Sequence, residues 1–161
     1  MSGASSWSFR EEDARRIQSI LSSFLGESNA RTALIVDRTG QMVSTAGEQP
    51  AFDATAFASL TAADFSANDQ LARMLGESEF GALFHQGERE SMYLADIARR
   101  VILVVLFDNR TTLGLVRLKM KETVIELTRL FELVFARPTQ AQGGGPGLLA
   151  GADDEIDKLF Q

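Results

Sequence analysis

Val101-Ile102-Leu103-Val104-Val105-Leu106-Phe107 decides the fold. All seven positions are apolar, where a strand with one wet face would alternate. Such a run reads as a central strand with both of its faces covered. At this length it is too short to cross a bilayer, and no longer apolar run occurs in the chain.

Downstream, Asp108 or Thr111 can cap a helix over about 112–136. There Leu113, Val116, Met120, Val124, Leu127, Phe131 and Val134 recur at steps of three and four, Gly114 sits in the first turn, and Pro138 closes the helix. Upstream, Ser91–Ala98 alternates, with Met92 and Leu94 on one side and Tyr93, Ala95 and Ile97 on the other. Phe80–Gln86 precedes it as a further strand. Gly87-Glu88-Arg89 and Arg99-Arg100 are the turns between the three strands.

Further back, Asp53 can cap a second helix over about 54–75, ended by Gly76. Phe57, Leu60, Leu71 and Leu75 share its apolar face. Before it, Ala33–Val36 and Gln41–Thr45 flank Asp37-Arg38-Thr39-Gly40, a hairpin signature, and Gly47–Phe52 with Pro50 is a loop. Ile17, Ile20, Leu21, Phe24 and Leu25 mark a first helix over about 9–25, with Gly26 as its stop. The order is α-β-β-α-β-β-β-α: an α/β fold of the α+β type, with a five-stranded antiparallel sheet flanked by helices.

The domain therefore spans 9–137. Residues 1–8 read as a disordered N-terminal tail without the apolar segment of a signal peptide. Residues 138–152, with Gly143–Gly147, read as a flexible linker, and 153–161 as a short partner-binding tail. The 161 residues are 45% hydrophobic and 24% charged, the balance of a globular protein. With no cysteine, disulfides and thiolate chemistry are excluded. The net charge of −6 argues against nucleic-acid partners. The expected location is cytoplasmic, without membrane insertion.

Catalytic signatures are missing. The single histidine, His85, has no G-x-S-x-G elbow beside it and no second histidine for a metal site. Neither a P-loop nor a G-x-G-x-x-G cradle is present. No catalytic residue, cofactor or metal is expected, and the weight moves from enzyme to binding module.

Three features fit a binding module. Ser59, Ala62, Ala63 and Ser66, followed by Gln70, form a small-residue face on helix two that admits close approach of another backbone. The alternative is a plain solvated face. Asp64 and Asn68 fall on the apolar side of the same wheel, so either the helix bends or these groups are hydrogen-bonded across an interface. In the tail, Ile156, Leu159 and Phe160 make a stripe at i, i+3, i+4 behind Asp153 and Asp154, too short to hold a helix alone and suited to a partner groove. The stretch Phe80–Phe84 can form an open sheet edge that pairs with a second copy.

Val36-Asp37-Arg38-Thr39-Gly40-Gln41 and Phe107-Asp108-Asn109-Arg110-Thr111-Thr112-Leu113-Gly114 resemble the hairpin and the strand-to-helix junction of the roadblock/LC7 family. Ala58–Ala62, Gly76–Phe80 and the tail 153–160 are similar to its MglB-type bacterial branch. The resemblance implies a homodimer with a continuous sheet that binds a small Ras-like GTPase of the MglA type in its GTP-bound state. It implies activation of GTP hydrolysis through the GTPase's own switch residues, without an arginine finger, in the service of cell polarity and motility. It places partner binding on helix two, at Ser59, Ala62, Ala63, Ser66 and Gln70. The tail residues Ile156, Leu159 and Phe160 would affect binding or nucleotide exchange, and concentration at a cell pole would follow. The fold equally suits a scaffold for a GTPase or motor complex that leaves turnover unchanged.

Overall fold

The computed structural model describes residues 9–137. The tail readings for 1–8, 138–152 and 153–161, with Pro138, Ile156, Leu159 and Phe160, lie outside the described residues. In order the elements are α1 (Glu11–Ser28), β1 (Thr32–Asp37), β2 (Met42–Gly47), α2 (Ala54–Met74), β3 (Ala82–Gln86), β4 (Ser91–Ile97), β5 (Val101–Phe107) and α3 (Leu113–Ala136). The strands form one sheet in the order β2-β1-β5-β4-β3, antiparallel throughout. This is the expected architecture.

β5 is central, paired with β1 on one side and β4 on the other. Its continuous apolarity is used on both faces. Val101, Leu103, Val105 and Phe107 join the core under α1 and α3, while Ile102 and Val104 join a smaller core under α2. β4 splits as its alternation predicts, with Ala95 and Ile97 on the α1/α3 side and Leu94 on the α2 side. β2 and β3 are the edges.

The α1/α3 layer is large and clamped. Ile17, Leu21 and Phe24 from α1 meet Val116, Met120, Leu127, Phe131 and Val134 from α3. Where α1 begins, the buried Asp13 carboxylate accepts the Arg10 backbone N–H at 2.9 Å. The same carboxylate takes a bidentate pair from Arg137, just past the end of α3, at 2.6 and 2.7 Å. That geometry fixes two helix ends with one charged contact. It also holds the Asp13 carboxyl below the usual carboxylate range, mainly through the Arg137 hydrogen bond, against an upward push from burial.

Several boundaries differ from expectation, β3 among them, which begins at Ala82 rather than Phe80. α1 runs through Gly26 and ends at Ser28, because Asn29 adopts the left-handed conformation (φ 62°) and donates its N–H to the Leu25 carbonyl. A mid-helix glycine costs only about 1 kcal/mol, and the buried Phe24 and Ser28 on either side hold the last turn down. At α3 the cap is Thr112, whose hydroxyl accepts the Leu115 N–H. Asp108 is not available for that role, because its carboxylate takes the Arg110 backbone N–H and guanidinium. The turn after β4 also shifts by one residue: Ala98 and Arg99 both have positive φ, the conformation that fits the twist of a tight hairpin.

Helix α2 alone covers the other face. Asp53 caps it, accepting from the Thr55 and Ala56 N–H groups. Its buried side is Ala58, Thr61, Ala62, Phe65, Asn68 and Ala72. Of the apolar stripe read from the sequence, Phe57 packs against the core, whereas Leu60, Leu71 and Leu75 are turned outward, at 71%, 56% and 73% exposure. Small side chains let α2 lie close to the sheet, and Phe65 is its one large residue in the inner core. Among the described residues no helix is long and apolar enough to cross a membrane.

Candidate partner-binding surface

The outward side of α2 carries two adjacent rows. One holds Ser59, Ala63, Ser66 and Gln70, all exposed. The other holds Leu60, Leu71 and Met74, continued by Leu75 just past the helix end. Ala62, expected among the small-residue contacts, is only 9% exposed. At 100° per residue it lies 40° from both Ala58 and Ser66, at the border between the buried side and the small row. The four remaining small-row residues do come together as expected. Apolarity alone places Leu60 and Leu71 on the helix's inner side, yet they face outward. The better signal was phase: Ala58, Thr61, Phe65, Asn68 and Ala72 keep one face at steps of three and four.

Leu71, Met74 and Leu75 cluster at the C-terminal end of α2, with Leu60 three turns earlier on the same side, and exposed large apolar side chains that cluster in this way mark contact sites. Met74, at 82% exposure, has the most open of these side chains. A row of small side chains beside them lets a partner's backbone approach.

The platform beneath is rigid. Arg38, in the β1–β2 turn, donates from Nη1 to Asp69 of α2 at 2.6 Å and from Nη2 to Asp96 of β4. Its guanidinium lies 5.1 Å from the Phe65 ring centroid. One cation thus ties helix, turn and strand together, and the two carboxylates hold it charged against the cost of burial. The same turn also meets the helix directly. Gly40 has φ +98°, and a Cβ there would sit 3.4 Å from the Ser59 Cα. Ser59 is therefore small partly because the turn packs on it.

Asp64 and Asn68 receive separate explanations. Asp64 bonds His85 of the edge strand β3 at 2.6 Å, within the chain. Asn68 is buried, and its Nδ2 has no hydrogen-bond partner among the described residues. His85 is half-exposed in this pair, which joins α2 to the sheet edge. Among the described residues no group of three histidine, cysteine or acidic side chains could hold a metal ion.

Residues 6–107 match the Roadblock/LC7 domain. The chain belongs to the roadblock/LC7 family. Among solved structures, this roadblock chain is similar to MglB of Myxococcus xanthus, at 44% identity and TM-score 0.70, over 73% of this chain and 95% of that one. It is also similar to the gliding protein MglB of Thermus thermophilus, at 30% identity and TM-score 0.73, over 78% and 96%. An MglB in a tetrameric arrangement aligns at 30% identity and TM-score 0.75, over 80% and 96%. No curated protein matches the chain.

Proposed function

We propose that this roadblock chain is a non-enzymatic, homodimeric regulator of a small Ras-like GTPase of the MglA type, and that it activates GTP hydrolysis. The observation that carries the reading is the 44% identity to an MglB across 95% of that protein's length. The exposed leucine row on α2 supports it as the surface a partner would use. Two copies would pair along β3, an open edge, and bring two α2 helices onto one face of a continuous sheet. Ser59, Ala63, Ser66 and Gln70 would meet the GTP-loaded partner, with Ala62 packed beneath them. The tail residues Ile156, Leu159 and Phe160 would modulate binding or nucleotide exchange. A cytoplasmic protein of this kind would collect at a cell pole and act in polarity and motility.

Phosphoryl transfer is catalysed largely by positioning and electrostatics. A partner that favours one switch conformation raises the rate by shifting its population, and needs no catalytic group of its own. Arg110 is a poor finger, being engaged by Asp108 and Glu48. Arg73, exposed on the last turn of α2, is the arginine to test.

The test is single-turnover GTP hydrolysis by an MglA-type GTPase, with and without the chain. Acceleration that survives Arg73→Ala supports activation without a finger, and loss of acceleration in that variant identifies Arg73 as one. Binding of the GTP-loaded protein with an unchanged rate replaces activation by the scaffold reading.

A further inference from the structure

A second surface lies on the opposite face of the sheet, away from α2. Between α3 and the strands β3 and β4 is an open groove of about 430 Å³. Its floor is apolar: Tyr93 and Ala95 of β4, Met120 and Val124 of α3. Arg117 and Lys121 stand on its α3 rim, both exposed, and neither has an ion-pair partner among the described residues. Asp96, the acidic residue beside the groove, has its carboxylate engaged by Arg38. The groove thus combines an apolar floor with two free cations.

The chain carries a segment of the complementary kind. Asp153-Asp154-Glu155-Ile156-Asp157-Lys158-Leu159-Phe160 sets three apolar residues at i, i+3, i+4 among four carboxylates. The intervening length also fits. From Arg137 back to Lys121 is about 24 Å along α3 at 1.5 Å per residue. A flexible chain of the length of 138–155 would have a root-mean-square span of about 23 Å. Effective concentration is greatest when a linker's typical span equals the distance to be bridged.

We propose that the tail of this chain docks into the groove of the same chain, with Ile156, Leu159 and Phe160 on the apolar floor and the tail carboxylates against Arg117 and Lys121. This contact is internal and goes beyond the GTPase reading. It holds the tail on the face opposite α2, from which a partner that binds the tail must compete it away.

The absence of cysteine makes the test clean, because Gln161→Cys gives a single labelling site beyond the three apolar residues. A nitroxide there, on the full-length ¹⁵N-labelled chain without any GTPase, should remove most of the amide signal of Tyr93, Ala95, Met120 and Val124. The amides of Ser59, Ser66 and Gln70 should keep theirs. Adding Arg117→Glu and Lys121→Glu, both surface changes, should restore the groove signals. Weak, even broadening over the whole surface would overturn the proposal, as would the strongest loss on α2. Groove broadening that persists when spin-labelled ¹⁴N chains are mixed with unlabelled ¹⁵N chains would also overturn it, by assigning the tail to a second copy.

Discussion

The two faces of the sheet are covered unequally. Five strands spaced about 4.8 Å apart make a surface about 20 Å wide, and a helix with its side chains covers about 10 Å. On one face α1 and α3 lie side by side and bury Phe24, Leu21, Phe131 and Leu127 between themselves and the sheet. On the other, α2 is alone. Phe65 is its one large buried residue, and Leu83, Met92 and Leu106 of the sheet stay partly exposed around it. The first face is completed by the chain itself. The second is half covered, and the helix that covers it turns leucines outward. A domain whose stability comes from one face leaves the other free to be selected for contact.

The comparison predicts where substitutions hurt folding and where they do not. The largest expected effect is on the double-helix face. Phe131→Ala removes a fully buried ring that also meets Phe9 edge-on, and should cost about 4 kcal/mol in urea unfolding. An effect below about 1 kcal/mol would mean that this face is not the main core.

Next is the α1–α3 clamp. Asp13→Asn should cost about 2 kcal/mol at neutral pH, by breaking a charged bidentate pair at a buried site. The sign of its pH dependence follows from the lowered carboxyl. The wild-type contribution is complete above the ordinary Asp value of 3.8 and is lost as pH falls through the lower folded-state value. Unfolding curves of wild type and variant should therefore converge in acid. A gap that persists at pH 2 would assign the stabilisation to packing.

The smallest effect on folding is expected on the outer side of α2. Leu71→Ser changes an exposed position and should alter the unfolding free energy of one copy by less than about 0.5 kcal/mol. The same change should weaken association with a second copy or with the GTPase. Loss of fold stability without loss of association would reverse the roles given to the two faces.

Most of the fold is written in periodicity. A run apolar at every position, Val101–Phe107, reads as a strand covered on both faces, and it is the centre of the sheet. The alternation of Ser91–Ile97 assigned each side chain to the correct face. Helix α2 was legible as a helix but not in its rotation. Hydrophobicity ranks leucine above alanine, whereas packing close against a sheet favours Ala58, Ala62 and Ala72 and leaves Leu60 and Leu71 outside. The Arg38 clamp was not legible either, because Asp69 and Asp96 are 31 and 58 residues away in sequence. Of the small-residue face, spacing alone brings Ser59, Ala63, Ser66 and Gln70 together on the exposed side, and Ala62 beside them is mostly buried.

The central claim is that α2 presents its outward side to a GTP-loaded GTPase. Ser66→Arg tests it most directly, because Ser66 is exposed in the middle of the small row and makes no contact the fold requires. Affinity for an MglA-type GTPase loaded with a non-hydrolysable GTP analogue should be measured alongside light scattering and thermal unfolding. The account predicts lost binding with the oligomeric state and unfolding midpoint of the wild type. Wild-type affinity in the Ser66→Arg protein would contradict it and remove α2 from the interface.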